Sequence, residues 1–164
     1  MGLYDLNSEF NALDASGLFL NSSHGIGAEI AQTGLNGPSI FPVPGLALRV
    51  RGQSDRAYWQ VAALDAVPGD PDHPERTGFH LTSDEGALLA LEVGGEIAGF
   101  NKLALGAWSY TADFDSIDET DSNGDPLRAD GNRGFYLLAE KSLWANGEST
   151  VNGFLRAGTA ASRF

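Results

Sequence analysis

The sequence predicts an all-β, antiparallel fold, and three observations carry that reading. Segments of about ten residues that alternate in polarity recur along the chain. Convincing helical periodicity is scarce, and from Asp65 onward long and short connections take turns. The 21 glycines, dispersed without a period, fit the same turn-rich β-structure.

Met1 to Asp5 carries neither the basic stretch nor the apolar core of a secretory signal, so an exported chain would be mature-trimmed or cut from something longer. Ser8 to Ala15 is the best helical candidate, although Asp14 and Ser16 suit a loop equally. Leu18 to Ile26 reads as an extended piece with less regular alternation. Asn11 to Gly37 as a whole is long, mixed and glycine-bounded, which suits a plug or constriction loop and equally an ordinary packed loop.

The strands follow. Leu46, Leu48 and Val50 form an apolar phase opposite Arg49 and Arg51. Trp59, Val61 and Ala63 oppose Tyr58, Gln60 and Ala62, while Leu89, Leu91 and Val93 oppose Ala90, Glu92 and Gly94. Leu103, Leu105 and Ala107 oppose Lys102, Ala104, Gly106 and Trp108. Phe135, Leu137 and Ala139 oppose Tyr136, Leu138 and Glu140, and Val151, Leu155 and Ala157 oppose Asn152, Phe154 and Arg156. Val67 to Asp84, rich in proline and acid, and the acidic 113–133 stretch read as long loops. Gly94 to Asn101 and Ala145 to Ser149 read as short turns.

The net charge of −12 repels phosphate backbones and excludes nucleic acid as a partner. Cysteine is absent, which removes disulfides and thiolate metal sites. No run approaches the roughly 18 apolar residues of a spanning helix, but a membrane β-strand needs only about 9–11, half of them free to be polar. Alternation alone fits two architectures, a membrane barrel and a soluble, secreted β-sandwich that binds sugar or calcium. The aromatics Tyr58, Trp59, Trp108, Tyr110, Tyr136 and Trp144 suit a lipid-interface girdle or an ordinary core. The unequal connections favour the barrel, with long loops at one end and tight turns at the other. The apolar phase separates the two: lipid meets it in a barrel, a second sheet in a sandwich.

Several strings, in order along almost the whole chain, carry a resemblance. They include Gly2-Leu3-Tyr4-Asp5-Leu6-Asn7-Ser8-Glu9-Phe10, Gly17-Leu18-Phe19-Leu20-Asn21-Ser22-Ser23, Pro38-Ser39-Ile40-Phe41-Pro42-Val43 and Asp65-Ala66-Val67-Pro68-Gly69-Asp70-Pro71. Lys102-Leu103-Ala104-Leu105-Gly106-Ala107-Trp108 and Asn132-Arg133-Gly134-Phe135-Tyr136-Leu137-Leu138-Ala139-Glu140 complete them. Together they resemble the carbohydrate-selective porin family of the OprB type. The resemblance implies an antiparallel transmembrane β-barrel of roughly sixteen strands in the bacterial outer membrane, passing mono- or disaccharides passively. It leaves trimerisation of the full-length channel open. This chain reads as a single partial barrel domain over 1–164, with about six to eight strands, truncated at both ends relative to the family. A barrel that small is filled by its own side chains, so the chain alone is expected not to conduct. A non-conducting scaffold is the remaining option. Phe164 reads more readily as a truncation point than as a barrel terminus.

A porin needs no catalysis, only charged and aromatic groups in a wet constriction. By strand phase the lumen-facing candidates for sugar contact are Arg49, Arg51, Tyr58, Gln60, Glu92, Lys102, Trp108, Tyr136, Glu140 and Arg156, with Asn152 in the same phase. Glu119, Asp121, Asn123, Gly124 and Asp130 match an EF-hand loop only loosely, so a solvated acidic loop is the default. His24, His73 and His80 lack metal-ligand spacing, and Asp84-Glu85 has nothing to position it about a glycosidic bond. No enzyme, cofactor or metal site is expected.

Overall fold

Each polarity-alternating segment folds as a strand, because period-2 patterning can bury one set of side chains only in extended backbone. The computed structural model describes residues 1–70 and 86–161. It contains β1 (Gly2–Tyr4), β2 (Gly45–Gln53), β3 (Ala57–Asp65), β4 (Ala87–Gly95) and β5 (Lys102–Tyr110). These are followed by β6 (Phe114–Thr120), β7 (Pro126–Ala129), β8 (Arg133–Ala145) and β9 (Thr150–Ala160). β1, β2, β3, β4, β5, β8 and β9 pair in that order as one antiparallel 7-stranded sheet, which curls into a half-barrel. The fold is thus all-β and antiparallel, a partial barrel. β2 to β5 are each 9 residues long, close to the roughly 9–11 that cross a bilayer.

The connections sort by end. The β2–β3, β4–β5 and β8–β9 turns are short and lie at one end of the sheet. The β1–β2, β3–β4 and β5–β8 connections leave their strands at the other end, and of these residues 5–40 turn back into the curl of the sheet. Residues 71–85, which hold most of the proline-rich stretch, His73, His80 and Asp84-Glu85, fall outside the described residues, as does Phe164.

Two expectations need correction. The acidic 113–133 stretch is a hairpin rather than a plain loop, because β6 pairs with β7 and the backbone turns at Gly124 with φ 90°. Asp121 closes that turn: its Oδ1 accepts the backbone N–H of Asp125 at 3.0 Å and of Asn123 at 2.7 Å, which hold its carboxyl below the usual carboxylate range. Residues 5–40 contain neither the helix read at Ser8 to Ala15 nor an extended Leu18 to Ile26. They form 3-10 turns at Leu6–Ser8, Ser16–Leu18 and Ser22–His24, and a one-turn helix, α1 (Ala28–Ala31). A longer helix is broken at Asn11, whose φ of 53° lies outside the helical region, and the backbone groups of Asn11, Ala12 and Ala15 bond Glu92, Lys102 and Glu140 of the wall instead.

What the segment does instead is fill the curl of the sheet. Leu6, Phe10, Leu13, Ile26 and Ile30 are buried against Ala47, Ala62, Leu64, Leu88, Ala90, Ala104, Trp108 and Leu138. Alanines and glycines on that face make room for the insert. A Cβ on Gly106 would fall inside the Tyr136 ring, and one on Gly158 would strike the Glu29 side chain.

The opposite phase is bare. Leu48, Leu91, Leu105 and Leu155 are 58%, 45%, 60% and 59% exposed, and no second sheet covers them among the described residues. A sandwich would bury this phase; the sandwich alternative is therefore set aside. The aromatics divide between the faces. Trp59 and Trp144 are about half exposed, whereas Trp108, Tyr110 and Tyr136 are buried on the inner side and belong to no outer girdle.

Candidate permeation cleft

Register builds the inner face in rows. Arg51, Gln60, Glu92, Gly106, Tyr136 and Gly158 pair in succession across β2, β3, β4, β5, β8 and β9. Tyr58, Gly94, Ala104, Leu138 and Arg156 form the next row towards the short turns, and Lys102, Glu140 and Phe154 the row beyond it. All ten candidate residues therefore lie on this one face, because partners across a ladder share a side.

Glu92 is the hub. It is fully buried and accepts hydrogen bonds from Tyr58 Oη at 2.7 Å, Tyr136 Oη at 2.8 Å, Gln60 Nε2 at 3.3 Å and the backbone N–H of Asn11 at 2.9 Å. Lys102 Nζ lies 3.6 Å from it and donates to the Ala12 carbonyl at 2.7 Å. A buried carboxylate is tolerable only with such saturation by donors and a cation.

The same logic fastens the rest of the segment. Glu140 accepts the Ala15 backbone N–H at 2.9 Å. Arg49 donates to Glu9 Oε1 at 2.5 Å and to Gln60 Oε1 at 3.2 Å, while Tyr4 Oη donates to the other Glu9 oxygen at 2.6 Å. Arg156 donates to the carbonyls of His24 at 2.9 Å, Asn11 at 2.8 Å and Gly25 at 3.0 Å. Asn11 adopts φ 53°, a left-handed conformation that asparagine accepts readily. That turn lets its backbone N–H reach Glu92 while its side chain joins Gly27 and Glu29.

The candidates thus separate into two groups. Gln60, Glu92, Trp108 and Tyr136 are buried beneath residues 5–40, away from open solvent. Arg49 and Arg156 are spent chiefly on holding the segment. Arg51, Tyr58, Lys102 and Glu140 instead border an open cleft of about 280 Å³ at the short-turn end, where Glu9 and Asp14 join them. Arg51 lies over the Tyr58 ring, 4.7 Å from its centre, and 3.7 Å from Glu9. Cations and carboxylates facing each other across a wet gap orient a hydroxylated solute by donating and accepting at once.

Glu9, Asn11 and Glu29 were not among the sequence candidates. The signal for them lay in the wall: Ala62, Ala90, Ala104 and Gly106 share the polar phase, and a purely water-filled lumen has no need of such small residues.

The family model described as carbohydrate-selective porin, OprB family, matches residues 1–163. No curated protein matches the chain. Among solved structures, the high-pH structure of Pseudomonas putida OprB superposes with a TM-score of 0.65 at 22% identity, over 97% of this chain and 42% of that one. The chain therefore spans less than half the length of that porin.

Proposed function

Because the chain belongs to the carbohydrate-selective porin, OprB family, we propose that it forms part of the wall, and the constriction, of a channel through which mono- or disaccharides diffuse passively across the outer membrane. One observation carries the reading. Alternate residues of the same strands are oily and bare on the outside, whereas on the inside even charged and amide side chains such as Glu92 and Gln60 are buried and hydrogen-bonded. Water would penalise that outer face, whereas hydrocarbon accepts it. Residues 5–40 narrow the lumen from the long-loop end, leaving the Arg51–Tyr58–Lys102–Glu140 cleft as the wet path. Conduction is a property of the closed barrel, which the seven strands here only begin.

The tryptophans test the lipid face directly. The chain has 3, of which Trp59 and Trp144 are exposed and Trp108 is 2% exposed. With the protein in vesicles of brominated-acyl phospholipid, single-tryptophan variants keeping Trp59 or Trp144 should be strongly quenched, and the variant keeping Trp108 should not. A protein that stays a soluble monomer in detergent-free buffer, with no quenching of Trp59, would overturn the reading. Planar-bilayer recording beside a full-length relative completes the test: sugar should block current through the relative, and this chain alone should insert without conducting.

A further inference from the structure

A second cavity of about 480 Å³ lies beside the charged cleft: Asp14 and Glu140 line the cleft, and Ala15, whose N–H bonds Glu140, lines the second cavity. Its chemistry is different. It is lined by Ala15, Leu18, Phe19, Thr150, Val151, Asn152 and Phe154, none of them charged. Phe19 and Phe154 meet edge to face with ring centres 5.8 Å apart, and the His24 ring backs Phe19 at 4.8 Å. The cluster is held in place, because Arg156 donates to the His24 carbonyl at 2.9 Å and Phe154 packs on the core. Yet Phe19 is 54% exposed, open to a ligand on the same side as the charged cleft.

We propose that Phe19 and Phe154 form a stacking platform for one uncharged pyranose, a subsite distinct from the charged cleft; this rests on the carbohydrate-channel reading above. A pyranose with equatorial hydroxyls presents a flat face of axial C–H groups, which packs on the electron-rich face of an aromatic ring. Its rim hydroxyls need neutral donors and acceptors, which the Thr150 hydroxyl and the Asn152 amide supply. Asn152 Oδ1 already accepts from Ser142 Oγ at 2.8 Å, which orients the amide and leaves its Nδ2 for a sugar. The volume accommodates a monosaccharide, and the lack of charge favours neutral sugars over uronates or sugar phosphates.

Saturation-transfer NMR on the chain in detergent micelles tests this, with methyl β-D-glucopyranoside as probe and open-chain glucitol as control. Transfer should concentrate on H1, H3 and H5 of the glucoside and be weak for glucitol. Phe19→Ala should weaken binding about two- to tenfold, and Phe19→Trp should retain it. Unchanged transfer in Phe19→Ala, or equal transfer to glucitol, would overturn the platform. So would a Phe19→Ala variant that loses thermal stability but keeps its sugar signal, since Phe19 would then be a packing surface only. If the bromolipid quenching pattern is intact in any of these cases, the channel reading stands without the platform.

Discussion

The convex and concave faces of β2 to β5 are made from alternate residues of the same strands, and they follow opposite rules of burial. On the convex side Leu48, Leu91 and Leu105 stand bare, while on the concave side Glu92 and Gln60 are fully buried. A water-soluble protein shows the reverse, because burial there follows hydrophobicity. On the proposed channel reading, the inversion reflects two different surroundings, hydrocarbon outside and a packed insert of apolar and polar residues within. It also explains why one surface needs only to be apolar, whereas the other depends on partners matched atom by atom.

The largest effect should come from the concave side. Glu92→Ala would strip the acceptor from Tyr58, Tyr136, Lys102 and the Asn11 backbone, and so remove the buried charge on which the wall and residues 5–40 meet. A cost of about 3–5 kcal/mol is expected in urea unfolding of the micelle-embedded protein. A cost of about 1 kcal/mol or less, the size of an exposed pair, would mean that water rather than the insert occupies this part of the lumen.

On the convex side, Leu91→Arg at the middle of β4 should cost about 2–4 kcal/mol in lipid vesicles, because the guanidinium would enter hydrocarbon. Tolerance of that change in vesicles would break the comparison, since the outer face would not then be meeting lipid.

The smallest effect sharpens the concave side. Arg49 and Arg51 occupy the same strand phase, but Arg49 grips Glu9 and Gln60 whereas Arg51 stands 3.7 Å from Glu9 and leans on Tyr58. Arg51→Glu should therefore shift unfolding by no more than about 1 kcal/mol, and Arg49→Glu by clearly more. Equal costs would show that Glu9 is shared evenly between them.

Much of this architecture was legible in the chain. Strand positions and phase followed from alternation at Leu46 to Arg51 and Leu89 to Gly94, since a period of 2 admits only extended backbone. The unequal connections were legible too, because proline cannot donate to a strand ladder and Pro68, Pro71 and Pro74 cluster between β3 and β4. The β6–β7 hairpin was not: seven-residue β6 reads Phe-Asp-Ser-Ile-Asp-Glu-Thr, whose acids mask its alternation. Within the site, the inner position of Arg51, Lys102 and Glu140 could be read from phase, but Glu9 and Asn11 come from a segment without periodicity.

The sequence by itself determined which residues share a face of the wall, because side chains alternate along any strand whatever surrounds it. Only the tertiary structure decided which inner residues meet water. Trp108 and Tyr58 have the same phase, yet residues 5–40 cover the first and leave the second beside the open cleft. That choice depends on where a segment remote in sequence comes to rest, held by Asn11 on Glu92, Ala15 on Glu140 and Arg156 on the His24 carbonyl. Such contacts reward closure of a long loop, and local pattern holds no record of them.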